Sequence, residues 1–245
     1  MSMRGKDVRE GSNQGAVDRH RDDAVPASEA TAWTSSAESI APLRDFVAAL
    51  TRLAPQFDQA QARTQAGELL RALIATDGWL PDAFAQPHPD FYQQYLLHCD
   101  PLERFSVVSF VWGPGQRTPI HNHEVWGIVG ILRGAENVQR YAPDAAGRLR
   151  PAGDVERLDV GDIDYVSPQT GDWHVVENAA ADATSISIHV YGANIGAVRR
   201  SVYDTVTRQT KPFISGYSST MVPNLWDRSR AGARPPADSN KESQP

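Results

Sequence analysis

The stretch Gly115-Gln-Arg-Thr-Pro-Ile-His121-Asn-His123-Glu-Val-Trp-Gly127 places two imidazoles two residues apart between turn-forming glycines. On a β-strand, residues i and i+2 point to the same face, so His121 and His123 would aim together into an interior while Asn122 and Glu124 face away. Two imidazoles so placed make a chelating seat, although the pair alone occurs more often without a metal than with one. The strand reading comes from what surrounds the pair. From Arg104 onward, short β-branched and aromatic runs alternate with Gly, Pro, Asn and Asp: Phe105 to Trp112, Trp126 to Leu132, Ile163 to Val166 and Thr184 to Tyr191, with turn signals at Gly113-Pro114-Gly115, Pro143-Asp144 and Ser167-Pro168. Many short strands punctuated in this way predict a sandwich or barrel.

Upstream of the strands the period changes. Leu43, Phe46, Val47, Leu50 and Leu53 recur at helical spacing between Pro42 and Pro55, and Leu69, Leu70, Leu73 and Ile74 form a second amphipathic segment closed by Gly78. Phe91, Tyr95 and Leu96 suggest a short third helix before Asp100-Pro101. Residues 1–36 and 227–245 mix both signs of charge with Ala, Ser, Gly and Pro and show no apolar period, so they read as disordered tails around a single domain at 37–226. The expected architecture is mainly β: a barrel preceded by two or three helices.

Composition mostly excludes. The 245 residues carry 24 Lys+Arg against 30 Asp+Glu, a net charge of −6, which argues against a nucleic-acid or anionic-membrane surface. One cysteine, Cys99, rules out an internal disulfide and any Cys-rich metal site. No apolar run is long enough to span a membrane, and the N-terminus has no apolar core of a signal peptide, so a cytoplasmic protein without an obligate protein partner is expected. Mean hydropathy is −0.45, a polarity attributed to the two tails.

A second ordered set lies downstream: Gly161, Pro168, Gly171, His174 and Asn178. With Gly115, His121, His123, Gly127 and Gly134 it resembles the two motifs of the cupin superfamily, Gly-x5-His-x-His-x3,4-Glu-x6-Gly and Gly-x5-7-Pro-x-Gly-x2-His-x3-Asn. Two departures stand out. The second motif has Pro-x-x-Gly, and Gly127 occupies the place of the carboxylate ligand in the first. Glu124 is no substitute, because strand alternation sends it to the other face. The resemblance thus implies a cupin β-barrel of jelly-roll type with a metal held by His121, His123 and His174. Gly127, sharing their parity, is expected to leave open volume beside the metal. Removing a carboxylate leaves the ligand set neutral, so an anionic substrate would supply the missing charge. Iron and zinc both accept such a set.

Ser187, His189 and Tyr191 alternate on one predicted strand, giving a hydroxyl, an imidazole and a phenol on one face. They would form a hydrogen-bonded relay, or else the polar side of a solvent-exposed strand. His174 precedes Ser187 closely enough to suggest a short hairpin passing the same cavity. Taken with the two motifs, the pattern over residues 40–220 is similar to the cysteine dioxygenase type I family, the cupin thiol dioxygenases. That resemblance implies one Fe(II) per chain on His121, His123 and His174. It further implies a Ser187-His189-Tyr191 relay, a small thiol and O2 as partners, and a sulfinic acid product. Mammalian members place a tyrosine-crosslinked cysteine where this chain has Gly127, so no such crosslink forms here.

Within the family, cysteine dioxygenases hold the substrate carboxylate with an arginine. The matching stretch here is Tyr92-Gln93-Gln94-Tyr95-Leu96, which puts Gln94 at that position, with Gln93 the competitor across a one-residue gap. This resembles the bacterial 3-mercaptopropionate dioxygenases. Arg200 matches an arginine of that branch, and Tyr191 would also bind the substrate; Arg199 and Arg200 equally fit a solvated helix face. Cysteine as substrate, and a zinc or nickel cupin hydrolase or isomerase, are the competing expectations. His20, His88, His98 and Cys99 read as bystanders, and Trp126 and Trp173 as either pocket walls or core.

Overall fold

A computed structural model describes residues 40–226, so both expected tails, and His20, lie outside the described residues. Helix α1 (Ala41–Leu53) and helix α2 (Ala60–Ile74) form where the apolar period placed them. Pro42 occupies the first turn of α1, where its missing N–H costs nothing. The second helix ends at Ile74, and Gly78 lies beyond it at φ +96° in the connecting loop. Among the described residues no helix is long and apolar enough to cross a membrane.

Twelve strands follow: β1 (Gln93–Cys99), β2 (Ser106–Trp112), β3 (Ile120–His121), β4 (Gly127–Arg133), β5 (Ala135–Pro143), β6 (Leu149–Pro151), β7 (Glu156–Asp159), β8 (Ile163–Val166), β9 (His174–Asn178), β10 (Ser185–Tyr191), β11 (Arg200–Asp204) and β12 (Gln209–Phe213). The expected third helix is strand β1 instead. Tyr95 and Leu97 join the core under the helices while Leu96 packs on the barrel interior, so the segment is apolar on both faces. A short run of this kind carries no clear period, and tertiary pairing with β2 decides it.

All pairings are antiparallel, in a first sheet ordered β1-β2-β10-β4-β8 and a second ordered β12-β11-β3-β9-β5-β6, with β7 also on β5. This is the expected mainly β architecture, a curled two-sheet barrel behind two N-terminal helices. The helices cover the outer face of the first sheet, and Leu43, Leu50, Leu70, Ile128, Ile186 and Ile188 are completely shielded there, each burial stabilising by about 1.5–3 kcal/mol. Close approach explains Gly130: a Cβ there would fall 2.9 Å from Ile74 Cδ1 and 3.1 Å from Leu70 Cγ. Val108, Phe110, Trp112, Val129, Ile131, Val138 and Val176 fill the space between the sheets.

Strand β10 decides what the barrel encloses. Every residue from Ser185 to Tyr191 is buried. Ile186, Ile188 and Val190 face the helices, so the alternate residues Ser185, Ser187, His189 and Tyr191 face inward. The polar side of this strand is therefore interior, which removes the solvent-exposed alternative. The expected β9–β10 hairpin does not form: β9 lies in the second sheet and β10 in the first, and the chain crosses between them.

Candidate metal centre

His121 ends β3, where its backbone partner across the antiparallel pair is His174, the first residue of β9. That register alone sets two imidazoles side by side. His123 lies beyond the strand end, so strand alternation is not what directs it. Asp172 does: its Oδ2 accepts the backbone N–H groups of His123 at 2.7 Å and Glu124 at 2.8 Å, while its Oδ1 pairs with His123 Nδ1 at 2.7 Å. The clamp bends the chain, with Glu124 at φ +60°, and turns the Glu124 side chain outward, where it accepts a bond from Asn122.

The three rings form a nearly equilateral triangle with centroids 4.9 Å (His121–His123), 4.8 Å (His121–His174) and 4.9 Å (His123–His174) apart. One ligand nitrogen from each falls within 4.8 Å of the others. Burial holds all three below the ordinary imidazole range, His121 to about 4, so they are neutral and offer lone pairs. His121 Nδ1 lies against Pro119 O and His123 Nδ1 against Asp172, leaving Nε2 of each as the ligand atom. Both nitrogens of His174 are buried with no hydrogen-bond partner, which is the donor set of a metal ligand rather than of a structural histidine. The residues present fit a metal ion.

Ser187, His189 and Tyr191 come together as the alternation suggested. Ser187 Oγ lies 2.8 Å from His189 Nε2, and His189 Nδ1 lies 2.8 Å from the Tyr191 hydroxyl. Burial depresses His189 to about 3 and pushes the Tyr191 phenol up, so both are neutral at ordinary pH. Gly127 does not leave open space, contrary to expectation. The Tyr191 ring and Val166 fill it, and a Cβ at 127 would meet Tyr191 Cδ1 at 2.9 Å and Val166 Cγ2 at 2.8 Å.

The three histidines share with His189, Tyr191 and Arg200 a cavity of about 290 Å3, while Ser187 lies behind its wall. Arg200 begins β11 and is 4% exposed, whereas Arg199 is exposed, so the pair is no solvated helix face. The Arg200 guanidinium lies over the Phe213 ring at 4.7 Å and donates to Ser215 Oγ at 2.6 Å. Its Nε has no partner, and among the described residues no carboxylate pairs with it. Burial accordingly pushes its pKa down.

Gln94 reaches the cavity from β1, but its amide nitrogen is engaged by Ser215 Oγ at 3.2 Å and Gly216 O at 3.0 Å. Gln93 bonds the neighbouring backbone and stays off the cavity wall. Trp126 and Trp173 are not on the wall either; Tyr92, Phe110, Trp112 and Phe213 are. Trp126 packs on Phe57 with ring centroids 5.0 Å apart. Among the bystanders, His88 stacks on Phe91, and Cys99 is partly buried with Sγ near Asp100 O.

No protein-family model matches the chain. Solved structures with which it shares similarity include an uncharacterized conserved protein with a double-stranded beta-helix domain from Klebsiella pneumoniae (20% identity, 47% of this chain and 89% of that one, TM-score 0.38). Others are cupin 2 conserved barrel domain proteins from Rhodopseudomonas palustris (17% identity, 50% and 76% covered, TM-score 0.36) and Salinispora arenicola (19% identity, 47% and 86% covered, TM-score 0.35).

Proposed function

We propose that the protein is a non-haem Fe(II) thiol dioxygenase that adds both atoms of O2 to a small thiol carboxylate, 3-mercaptopropionate, giving the sulfinic acid. The observation that carries this reading is what meets at one cavity: three neutral imidazoles, the His189-Tyr191 end of the Ser-His-Tyr chain, and a buried arginine that forms no ion pair among the described residues. Iron bound by His121, His123 and His174 would supply a soft electrophile that acidifies the thiol and activates O2. The remaining work falls to the chain. Arg200 would take the substrate carboxylate in a charge-assisted bond, satisfying the Nε that now lacks a partner. Gln94 would act by tying the loop at Ser215 and Gly216 against Arg200. Tyr191, held by His189, would orient the bound thiol and exchange a proton with it.

The lining also favours 3-mercaptopropionate over cysteine. Among the described residues no Asp or Glu lines the cavity, so an α-ammonium group would be buried without an anionic partner. Oxygen consumption by the Fe(II)-loaded protein, with 3-mercaptopropionate and with cysteine, tests the proposal when products are identified by mass. The expected result is one sulfinate per O2 and a higher kcat/KM for 3-mercaptopropionate. Absence of sulfinate from either thiol overturns it in favour of a non-oxygenase metal cupin, and a higher kcat/KM for cysteine reassigns the substrate.

A further inference from the structure

The hydrogen-bonded chain behind Tyr191 runs to Ser187, and a buried carboxyl lies just beyond its end. Glu136, the second residue of β5, projects from the opposite sheet toward β10 and is 1% exposed. Ser185 Oγ lies 3.4 Å from its Oε1, and Ser187 and the Trp112 indole flank the same carboxyl more loosely. Oε2 is buried without a partner. Among the described residues no cation pairs with this carboxyl. Along β5, Arg140 pairs with Asp164; at the end of β4, Arg133 pairs with Asp77; on β7, Arg157 pairs with Asp159 and Glu156 lies by Arg140. On β9, Glu177 accepts a bond from Asn137 and His174 faces the metal cavity; on β10 the titratable groups are His189 and Tyr191 themselves. A carboxyl so placed serves no packing purpose that a neutral side chain would not serve better.

We propose that Glu136 is the inner proton terminus of the Ser187-His189-Tyr191 relay, and that its protonation sets whether the Tyr191 hydroxyl offers the cavity a lone pair or a proton. The inference depends on neither the identity of the metal nor that of the thiol. With Glu136 ionised, Ser187 donates to it, His189 Nε2–H donates to Ser187, and Tyr191 donates to His189 Nδ1. The phenol oxygen then presents only acceptor capacity to the cavity. With Glu136 protonated every bond reverses: Glu136 donates to Ser187, Ser187 to His189 Nε2, and His189 Nδ1–H to Tyr191, whose own proton points into the cavity.

One proton separates the two states, and the transfer balances without any redox change. A proton leaving an acidic ligand in the cavity goes to the Tyr191 oxygen. The Tyr191 proton passes to His189 Nδ1, the His189 Nε2 proton to Ser187, and the Ser187 proton to the Glu136 carboxylate. Burial lifts Glu136 to about 7, opposed by Ser187, Ser185 and Trp112, so both states are accessible near neutral pH. Glu136 thus acts through other residues and is a positioning residue.

The ring tautomer of His189 reads the state directly. In the full-length chain with 15N-labelled histidine, assigned by difference against His189→Gln, the His189 proton should sit on Nδ1 at acidic pH and move to Nε2 as pH passes about 7, with no change in ring charge. Glu136→Gln, which neither gains nor loses a proton, should hold one tautomer at every pH, and Ser187→Ala should uncouple the ring from Glu136. A merely structural Glu136 would leave the tautomer constant in the parent protein. That result, or a pH-driven exchange unchanged by Glu136→Gln, overturns the proposal. Should Glu136→Gln not fold, infrared titration of the 13C-Glu-labelled parent decides: a protonated carboxyl surviving to about pH 7 supports it, and ionisation of every Glu in the ordinary range overturns it.

Discussion

The ring of Tyr191 packs against Gly127, its β-strand partner, so closely that a Cβ at 127 would fall 2.9 Å from Cδ1 and from Cε1 of the ring. The position that in the resembled family carries a ligand or a crosslinking side chain is here the seat of the relay's phenol. Gly127→Ala should therefore displace Tyr191 from His189 as well as overpack the barrel. A loss of about 1–3 kcal/mol is expected, in the range of overpacked cores. Urea denaturation measures the stability, and the His189 ring signals report the lost bond. A fully stable variant with unchanged signals would mean that the space beside Gly127 is adaptable.

Asp172 carries more of the metal centre than its position outside the triangle suggests. It fixes the backbone at His123, the imidazole tautomer, and the turn of Glu124 with one carboxylate. Asp172→Asn keeps the size but cannot accept at both oxygens. Metal affinity should fall by about 10–100-fold, the usual consequence of removing the carboxylate behind a ligand histidine. Competition against a chromophoric chelator measures this. His174→Ala, which removes one of the three candidate ligands outright, sets the lower limit.

The difference between His121 and Asp172 marks what the sequence could express. The three histidines were readable because motif spacing encodes them, and Ser187, His189 and Tyr191 because alternation on one strand does. Asp172 works through backbone N–H groups some fifty positions away, and no local period announces that. Glu136 sits in Gly134-Ala-Glu-Asn, where no local period marks it as interior, yet it is a fully buried residue of β5. Strand β1 resembled a helix because both its faces are apolar. Gly127 had the expected parity, but whether the space beside it is empty depends on β8 and β10, which approach only in the folded barrel.

Arg200 offers a test that separates binding from folding. Its charge is buried, bonded to Ser215, and matched by no acid among the described residues. Arg200→Met retains much of the bulk and removes the charge. Metal-free protein should be as stable as the parent, or more stable by about 1–4 kcal/mol, as when buried ionic groups are replaced by apolar ones. For a thiol bearing a carboxylate, KM should rise by about 10–100-fold, the equivalent of losing a charged hydrogen bond of ~1.5–3 kcal/mol. An uncharged alkyl thiol should show no such change. A variant that unfolds, or one that discriminates both thiols equally, would mean that Arg200 holds the β11–β12 edge rather than the substrate.

The pH dependence of stability should carry two opposing signatures from the barrel interior. His121, His123, His174 and His189 all have folded values below the 6.5 of the unfolded chain. Below that pH the unfolded state binds protons that the folded state refuses, so stability falls as pH falls, by up to about 1.4 kcal/mol per unit for each histidine. Glu136 acts in the other direction. Its folded value of about 7 exceeds the unfolded 4.5, so between these values the folded state keeps a proton the unfolded state has lost, and stability declines as pH rises. The four histidines outweigh Glu136 and Asp172, whose carboxyl burial also raises, and the net curve should rise from about pH 5 to about pH 7. Removing the carboxyl with Glu136→Gln should steepen that rise, and removing a histidine with His189→Gln should flatten it. Urea midpoints across the range measure both slopes. Parallel curves for the parent and Glu136→Gln would mean that Glu136 ionises in the folded protein as it does in the unfolded chain.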